Sequence, residues 1–296
     1  MGIVGKFASL VKFSHTIFAM PFALAAYLYA LTESGLPFDG IVLLKMVLCM
    51  VFARNAAMGF NRWADRKMDA RNPRTSGREI PSGKISPRAA LGFVAVNAVL
   101  FIVSAGLINR LALMLAPVAL FILLSYSYTK RFTAWCHLVL GVSLGMAPAG
   151  AFIAVTGASP VELLDMAAVV PMLLSGLVIT WVTGFDMLYA LQDTDFDRAQ
   201  GLHSAPVRWS PAGANAISIT LHIFSLFFVA LIGMMILGNW IYWLGAGIFA
   251  LLLIAEHILH TPTPSGVTRL KLSFGLVNGF SSLAYAICFI LSILIR

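Results

Sequence analysis

Long apolar stretches alternate with short polar ones along the whole chain. Runs of hydrophobic positions can be drawn at residues 13–32, 41–64, 87–108, 111–129, 133–156, 166–192, 214–237, 240–260 and 272–295. A helix rising about 1.5 Å per residue needs roughly 20 such residues to cross ~30 Å of hydrocarbon. The pattern therefore predicts an all-α fold, a polytopic membrane bundle of nine transmembrane helices. No polar stretch is long enough for a separate soluble unit, so residues 1–296 read as a single transmembrane domain. Pro21, Pro117 and Pro148 fall inside predicted spans. Pro148, within Gly145–Gly150, serves either close packing by small residues or a kink that widens a central cavity.

Composition agrees with this reading. Of 296 residues 60% are hydrophobic and 11% charged, against about 25% charged in soluble domains. The net charge of +8 could suggest nucleic acid, but the basic residues sit between apolar runs and form no hydrophilic domain. Lys6 and Lys12 precede the first span. Arg62, Arg66, Lys67, Arg71, Arg74, Arg78, Lys84 and Arg88 surround the second-to-third connection, and Lys130, Arg131, Arg198, Arg208, Arg269 and Lys271 fall in later even-numbered connections. The intervening connections carry Glu33, Asp39, Glu162 and Asp165. Such asymmetry predicts a multi-pass protein of a bacterial cytoplasmic membrane, with the N-terminus and the basic connections inside and an odd number of spans. The first apolar run is too long for a signal-peptide core of ~7–15 residues. Cys49, Cys136 and Cys288 lack CxxC spacing and read as core thiols.

Charge collects in one stretch, Asn61 to Lys84, which reads NRWADRKMDARNPRTSGREIPSGK. Asn61, Asp65 and Asp69 recur every four residues, so on a continuing helix their oxygens share a face, a seat for a hard cation. A second cluster ends the sixth span. At about 100° per residue Asp186, Tyr189, Asp193 and Asp197 fall within an arc of about 80°, whereas Asp195 points away. Asp186 lies inside an apolar run, where an acid costs at least ~2.5–3.5 kcal/mol and is functional by default. With alternating spans both clusters reach the cytoplasmic surface. Each is followed by basic residues, Ser and Pro, REIPSGK and HSAPVR, which suggests two related halves meeting near residue 130.

Carboxylates beside basic residues would repel a bare anion. Mg²⁺ resolves the conflict, because it takes oxygen ligands and bridges carboxylates to substrate phosphates. Asn61, Asp65, Asp69, Asp193 and Asp197 are the candidate metal side. Arg78, Lys84 and Arg198 are candidate phosphate contacts, and diphosphate is the natural ligand. A membrane transporter using the acids as a cation or substrate site is the competing reading, but it would place charge near the midplane.

At these stretches the chain resembles the UbiA superfamily of intramembrane aromatic prenyltransferases. The pattern N-x3-D-x3-D is carried by Asn61, Asp65 and Asp69; D-x2-Y-A-x2-D-x3-D by Asp186, Tyr189, Ala190, Asp193 and Asp197; and Y-x3-K by Tyr126 and Lys130. The resemblance implies nine helices around a central cavity beneath a cytoplasmic cap, and a polyprenyl diphosphate held with Mg²⁺. It also implies transfer of the prenyl group to an aromatic acid in ubiquinone or menaquinone biosynthesis, 4-hydroxybenzoate or a dihydroxynaphthoate. Asp65, Asp69, Asp193 and Asp197 would carry the catalytic charge, and one motif aspartate would activate the acceptor. Asp186, Tyr189, Tyr126 and Lys130 would contact substrate.

Arg54 lies seven residues before Asn61 on the same helical face, about 10 Å deeper. It either pairs with a motif acid or a carbonyl, or recognises the acceptor carboxylate. His203, in GLHS, stands where many family members have lysine. It either binds phosphate as a cation or caps a loop. Glu256, His257 and His260 lack zinc-site spacing, and His15, His137 and His222 read as satisfied polar groups within the bundle.

Overall fold

The computed structural model describes residues 3–11, 18–157, 166–260 and 273–295. Lys12, His15, Glu162, Asp165, Arg269, Lys271 and Arg296 lie outside the described residues. Among the described residues the regular structure is entirely helical: α1 (Ile3–Val11), α2 (Met20–Ser34), α3 (Gly40–Ala64), α4 (Arg66–Arg71), α5 (Pro87–Ile108), α6 (Arg110–Thr129), α7 (Cys136–Thr156), α8 (Met166–Tyr189), α9 (Thr194–Ala199), α10 (Ala205–Met235), α11 (Trp240–His260) and α12 (Asn278–Leu294). Eight helices among them are long and apolar enough to cross a membrane; α2 is the described part of the predicted first span. Outward-facing Val96, Val99, Phe121, Phe227, Leu251 and Ile254 are each more than half exposed. So much exposed apolar surface is the signature of an integral membrane protein, solvated by lipid.

Local chemistry sets the helix ends. The Asp39 side chain accepts from the backbone N–H groups of Ile41 and Val42, and Ser86 accepts from Ala89, with Pro87 following it. These caps satisfy donors that the first turn leaves open. Asn109 caps α6 through Ala112 and donates to Ile153 O at 2.8 Å, which ties the α5–α6 turn to α7.

Three predicted helices differ in detail. The helix through Asn61 and Asp69 is interrupted at Asp65 (φ −89°, ψ 0°), which ends α3 and precedes α4. The Asp69 N–H still bonds Asp65 O at 2.8 Å, so the four-residue spacing survives the break. After α8, residues Ala190–Asp193 tighten into a 3₁₀ turn before α9. The predicted span 214–237 begins earlier, at Ala205, and is kinked at Ser210 (φ 66°, ψ 162°). Pro211 lacks the N–H that a continuous helix needs and disfavours helical geometry at the residue before it.

The core lies around α8, where Leu174, Leu177, Val178, Trp181 and Val182 are fully buried. Trp181 contacts the rings of Phe22, Phe185 and Phe249. Glycines let α7 approach α8 closely. A Cβ on Gly141 would meet Thr183 Oγ1 and lie 2.6 Å from Ile179 O, and one on Gly145 would lie 3.0 Å from Ser175 O. This contact matters for the site, since Gly141 is one turn from His137 and Thr183 just under one turn from Asp186. At the end of the bundle reached by α3 and α8, α1 packs on the loop between α4 and α5. Leu10, Ile80, Ile85 and Ala90 form a small core there, and Ser9 Oγ donates to Glu79. This is the cap.

Gly141→Val is expected to push α7 from α8 and to cost about 1–3 kcal/mol by overpacking. Thermal unfolding in detergent would measure it; an unchanged midpoint would mean that the two helices part freely.

Candidate active site

Beneath the cap, the ends of α3 and α8 border a polar cleft of about 240 Å³. Five carboxylates line it, each beside a basic or imidazole partner from another segment. Arg131 Nη2 donates to Asp65 Oδ1 at 3.1 Å and to Ala64 O at 2.9 Å. Arg78 Nη1 donates to Asp69 Oδ1 at 2.7 Å. Arg74 Nε donates to Asp193 Oδ1 at 2.9 Å, and its Nη1 to the Tyr189 hydroxyl at 3.3 Å. Lys130 Nζ lies 2.8 Å from Asp197 Oδ2, and His137 Nδ1 lies 2.6 Å from Asp186 Oδ2. Asn72 joins the two acidic clusters, because its amide donates to Asp193 Oδ1 at 3.2 Å while its carbonyl accepts from the Arg74 N–H. Asp69 is buried, with Oδ2 lacking a hydrogen bond.

A larger apolar cavity, about 390 Å³, adjoins this cleft. Ala53, Ala57, Ala112, Ala116, Ala147 and Ala151 are among the small residues that leave it open. Tyr126 and Leu140 line both spaces, so the polar and apolar chambers meet at those side chains. Leu115 and Val118, 39% and 56% exposed, also border the apolar chamber. It therefore opens sideways at α6, toward lipid.

Residues 19–293 match the profile of the UbiA prenyltransferase family. The chain belongs to the UbiA prenyltransferase family. A 4-hydroxybenzoate octaprenyltransferase of Photobacterium profundum is 37% identical over 177 residues, which cover 60% of this chain and 58% of the relative's length. The enzyme of the same name from Aeromonas salmonicida is 30% identical over 77% of this chain and 76% of its own. Among solved structures, the apo UbiA homolog of Aeropyrum pernix K1 superposes with a TM-score of 0.82 at 34% identity, covering 94% of this chain and 97% of that one. A UbiA homolog of Archaeoglobus fulgidus, solved with DMAPP and Mg²⁺, shares the fold at 18% identity and a TM-score of 0.69, covering 96% of this chain and 99% of its own.

Asn61, Asp65, Asp69, Arg78, Tyr126, Lys130, Asp186, Tyr189, Asp193 and Asp197 all line the cleft of this UbiA chain. Four sequence candidates lie elsewhere. Lys84 is exposed on the cap loop and outside the cleft lining. Arg198 is 60% exposed and faces Asp195 at 3.6 Å. His203 is exposed; its backbone N–H bonds Lys130 O at 2.8 Å, so the segment braces Lys130 through the main chain. Arg54 lines the apolar cavity with Tyr126, below the polar cleft. Conversely, Arg74, Arg131, Asn72 and His137 enter the site without having been singled out for it. Arg74 and Arg131 read only as orienting charges, and His137 only as a polar group of the bundle. The local signals were the adjacency of Arg131 to Lys130 and the place of Asn72 and Arg74 within the charged stretch Asn61–Lys84.

Burial holds the Asp65 carboxyl above the usual carboxylate range; nearby Asp69 adds to this, while Arg131 and Lys130 oppose it. Burial alone would lower the Arg74 guanidinium, but the bonds and charge of Asp193 raise it. A raised folded-state value favours the protonated form of Asp65. Its stabilising share is full below the unfolded value of ~3.9 and is lost as pH rises through the folded value. Asp65→Asn, which mimics the neutral acid, is expected to stabilise the protein at neutral pH and to lose that advantage toward about pH 4. Unfolding midpoints of both proteins across that range would check it; a pH-independent difference would count against it.

Proposed function

We propose that this chain transfers a polyprenyl group from a polyprenyl diphosphate to an aromatic acid, 4-hydroxybenzoate or a dihydroxynaphthoate, in quinone biosynthesis. The meeting of the ion-paired cleft with the apolar cavity at Tyr126 and Leu140 carries this reading. A prenyl diphosphate is itself half charged and half apolar. Its allylic carbon would sit where the two chambers join.

Mg²⁺ fits the donor set. The carboxylates are hard oxygen donors from two helices, and buried Asp69 keeps one oxygen without a hydrogen bond. Mg²⁺ takes a few carboxylates and completes its shell with phosphate oxygens and water. Asp65, Asp69, Asp193 and Asp197, with Asn61, would hold it, and when bound it would supply Lewis-acid stabilisation of negative charge. Arg74, Arg78, Lys130 and Arg131 already converge on the cleft and can donate to diphosphate oxygens as charge builds on the leaving group. The apolar chamber keeps water from the reactive carbon, and its lateral opening lets a long chain extend into lipid.

Arg54, within the apolar chamber near Tyr126, suits the acceptor carboxylate. The excess of Lys and Arg in the basic connections supports a cytoplasmic cap in the inner membrane.

Membranes carrying the protein, given Mg²⁺, a labelled prenyl diphosphate and either 4-hydroxybenzoate or 1,4-dihydroxy-6-naphthoate, should yield a prenylated aromatic product that EDTA abolishes. Asp65→Ala and Asp193→Ala should each lower turnover about 100-fold or more. No product from either acceptor, or full activity in both variants, would overturn the reading. Arg54→Ala should raise KM for the acceptor and leave KM for the prenyl diphosphate unchanged; the reverse pattern would remove Arg54 from acceptor binding.

A further inference from the structure

Among the described residues that line the polar cleft, three buried side-chain atoms lack a hydrogen bond: Asp69 Oδ2, Asp197 Oδ2 and Ser127 Oγ. Two are carboxylate oxygens, which take a cation, and that of Asp197 already lies 2.8 Å from Lys130 Nζ. Ser127 differs in kind, because its hydroxyl carries a proton to donate. It stands on α6 directly after Tyr126, which borders both chambers, and is only 4% exposed. A hydroxyl taken from water without a partner costs free energy that the ligand-free fold does not recover.

A serine within a helix commonly turns its hydroxyl back onto a carbonyl of the preceding turn. The neighbours of Ser127 do so: Ser125 Oγ donates to Ile122 O at 3.1 Å, and Thr129 Oγ1 to Tyr126 O at 2.6 Å. Ser127 leaves that recourse unused. The cleft cations are in the opposite condition. Arg74, Arg78, Lys130 and Arg131 each hold a carboxylate, so an anion entering the cleft must share them with acids already bound. The Ser127 donor has no bond to give up. Lys130, three residues further along the chain, follows on the same side of the helix end, which sets an uncommitted donor beside a cation in the cleft wall.

We propose that Ser127 is a diphosphate-binding residue, whose hydroxyl donates to a phosphate oxygen of the prenyl diphosphate. The proposal rests on the prenyl-transfer reading above and adds a neutral donor to its four cations. The unmet demands of the cleft are opposite in sign: Ser127 has a proton to donate, and Asp69 has an open carboxylate oxygen. Magnesium diphosphate meets both, since its phosphate oxygens accept and its cation takes a carboxylate. A hydrogen bond to a charged oxygen is also stronger than one between neutral groups. The hydroxyl that burdens the empty cleft thus favours the filled one.

Inorganic diphosphate with Mg²⁺, titrated calorimetrically into the purified full-length protein, would test it. Ser127→Ala should bind this probe about 10-fold more weakly. Its thermal midpoint without ligand should stay at or above that of the wild type, because the variant discards a hydroxyl that had no partner. Ser127→Cys, which keeps the shape but donates poorly, should lose affinity as the alanine variant does. A hydroxyl that serves packing alone would reverse this pattern: the ligand-free midpoint of Ser127→Ala would fall and both variants would keep wild-type affinity, which would overturn the proposal. In turnover, Ser127→Ala should raise KM for the prenyl diphosphate and leave KM for the acceptor unchanged; a rise in the acceptor KM alone would put the hydroxyl on the aromatic acid and overturn the assignment. A wild type that binds magnesium diphosphate yet is inactive with both acceptors would refute the prenyl-transfer reading, while the Ser127 contact would still stand or fall on the affinity difference. An active wild type with an unimpaired Ser127→Ala would refute this proposal alone.

Discussion

Acids held at the mouth of an apolar bundle must be matched by positive charge or hydrogen-bond donors, because lipid offers neither. That demand shapes the whole capped end of the molecule. Asp65 draws on Arg131 from the α6–α7 connection, Asp69 and Asp193 draw on Arg78 and Arg74 of the cap loop, and Asp197 draws on Lys130. Each pair ties a connecting segment across the ends of α3 and α8. The cap is thus fastened by the same groups that would handle a charged substrate.

Below that layer the governing constraint is steric. Gly141 and Gly145 bring α7 against the backbone of α8, which sets His137 within hydrogen-bond reach of Asp186. Alanines on α3, α6 and α7 leave the adjoining volume unfilled, and the deep core is sealed by Trp181 and its ring of aromatic neighbours. Dense packing on one side of α7 and open space on the other put a polar cleft beside an apolar chamber. Charged side chains line the first and apolar ones the second.

The fold was legible to within a few residues for most spans, because hydrocarbon thickness leaves a periodic imprint on any chain that crosses it. Breaks were less legible. Asp65 and the 3₁₀ turn after Tyr189 interrupt helices that the four-residue spacing draws as continuous, yet the clusters still converge, since each break preserves the pitch locally. Lys84, Arg198 and His203 looked equivalent to Arg78 and Lys130 as basic residues following acids, but they ended outside the cleft. A connecting segment turns its charges inward or outward according to contacts that proximity in sequence does not encode.

The sequence by itself determined the membrane bundle and the two acidic clusters, since these follow from hydrophobicity and spacing along one strand of chain. Only the tertiary structure decided which cation meets which carboxylate, that Arg54 belongs to the apolar chamber, and that His137 is bound to Asp186 rather than merely satisfied. Those pairings join residues 9 to 119 positions apart. They depend on helix rotation and loop closure, which are fixed by close packing among segments and leave no periodic mark on the sequence.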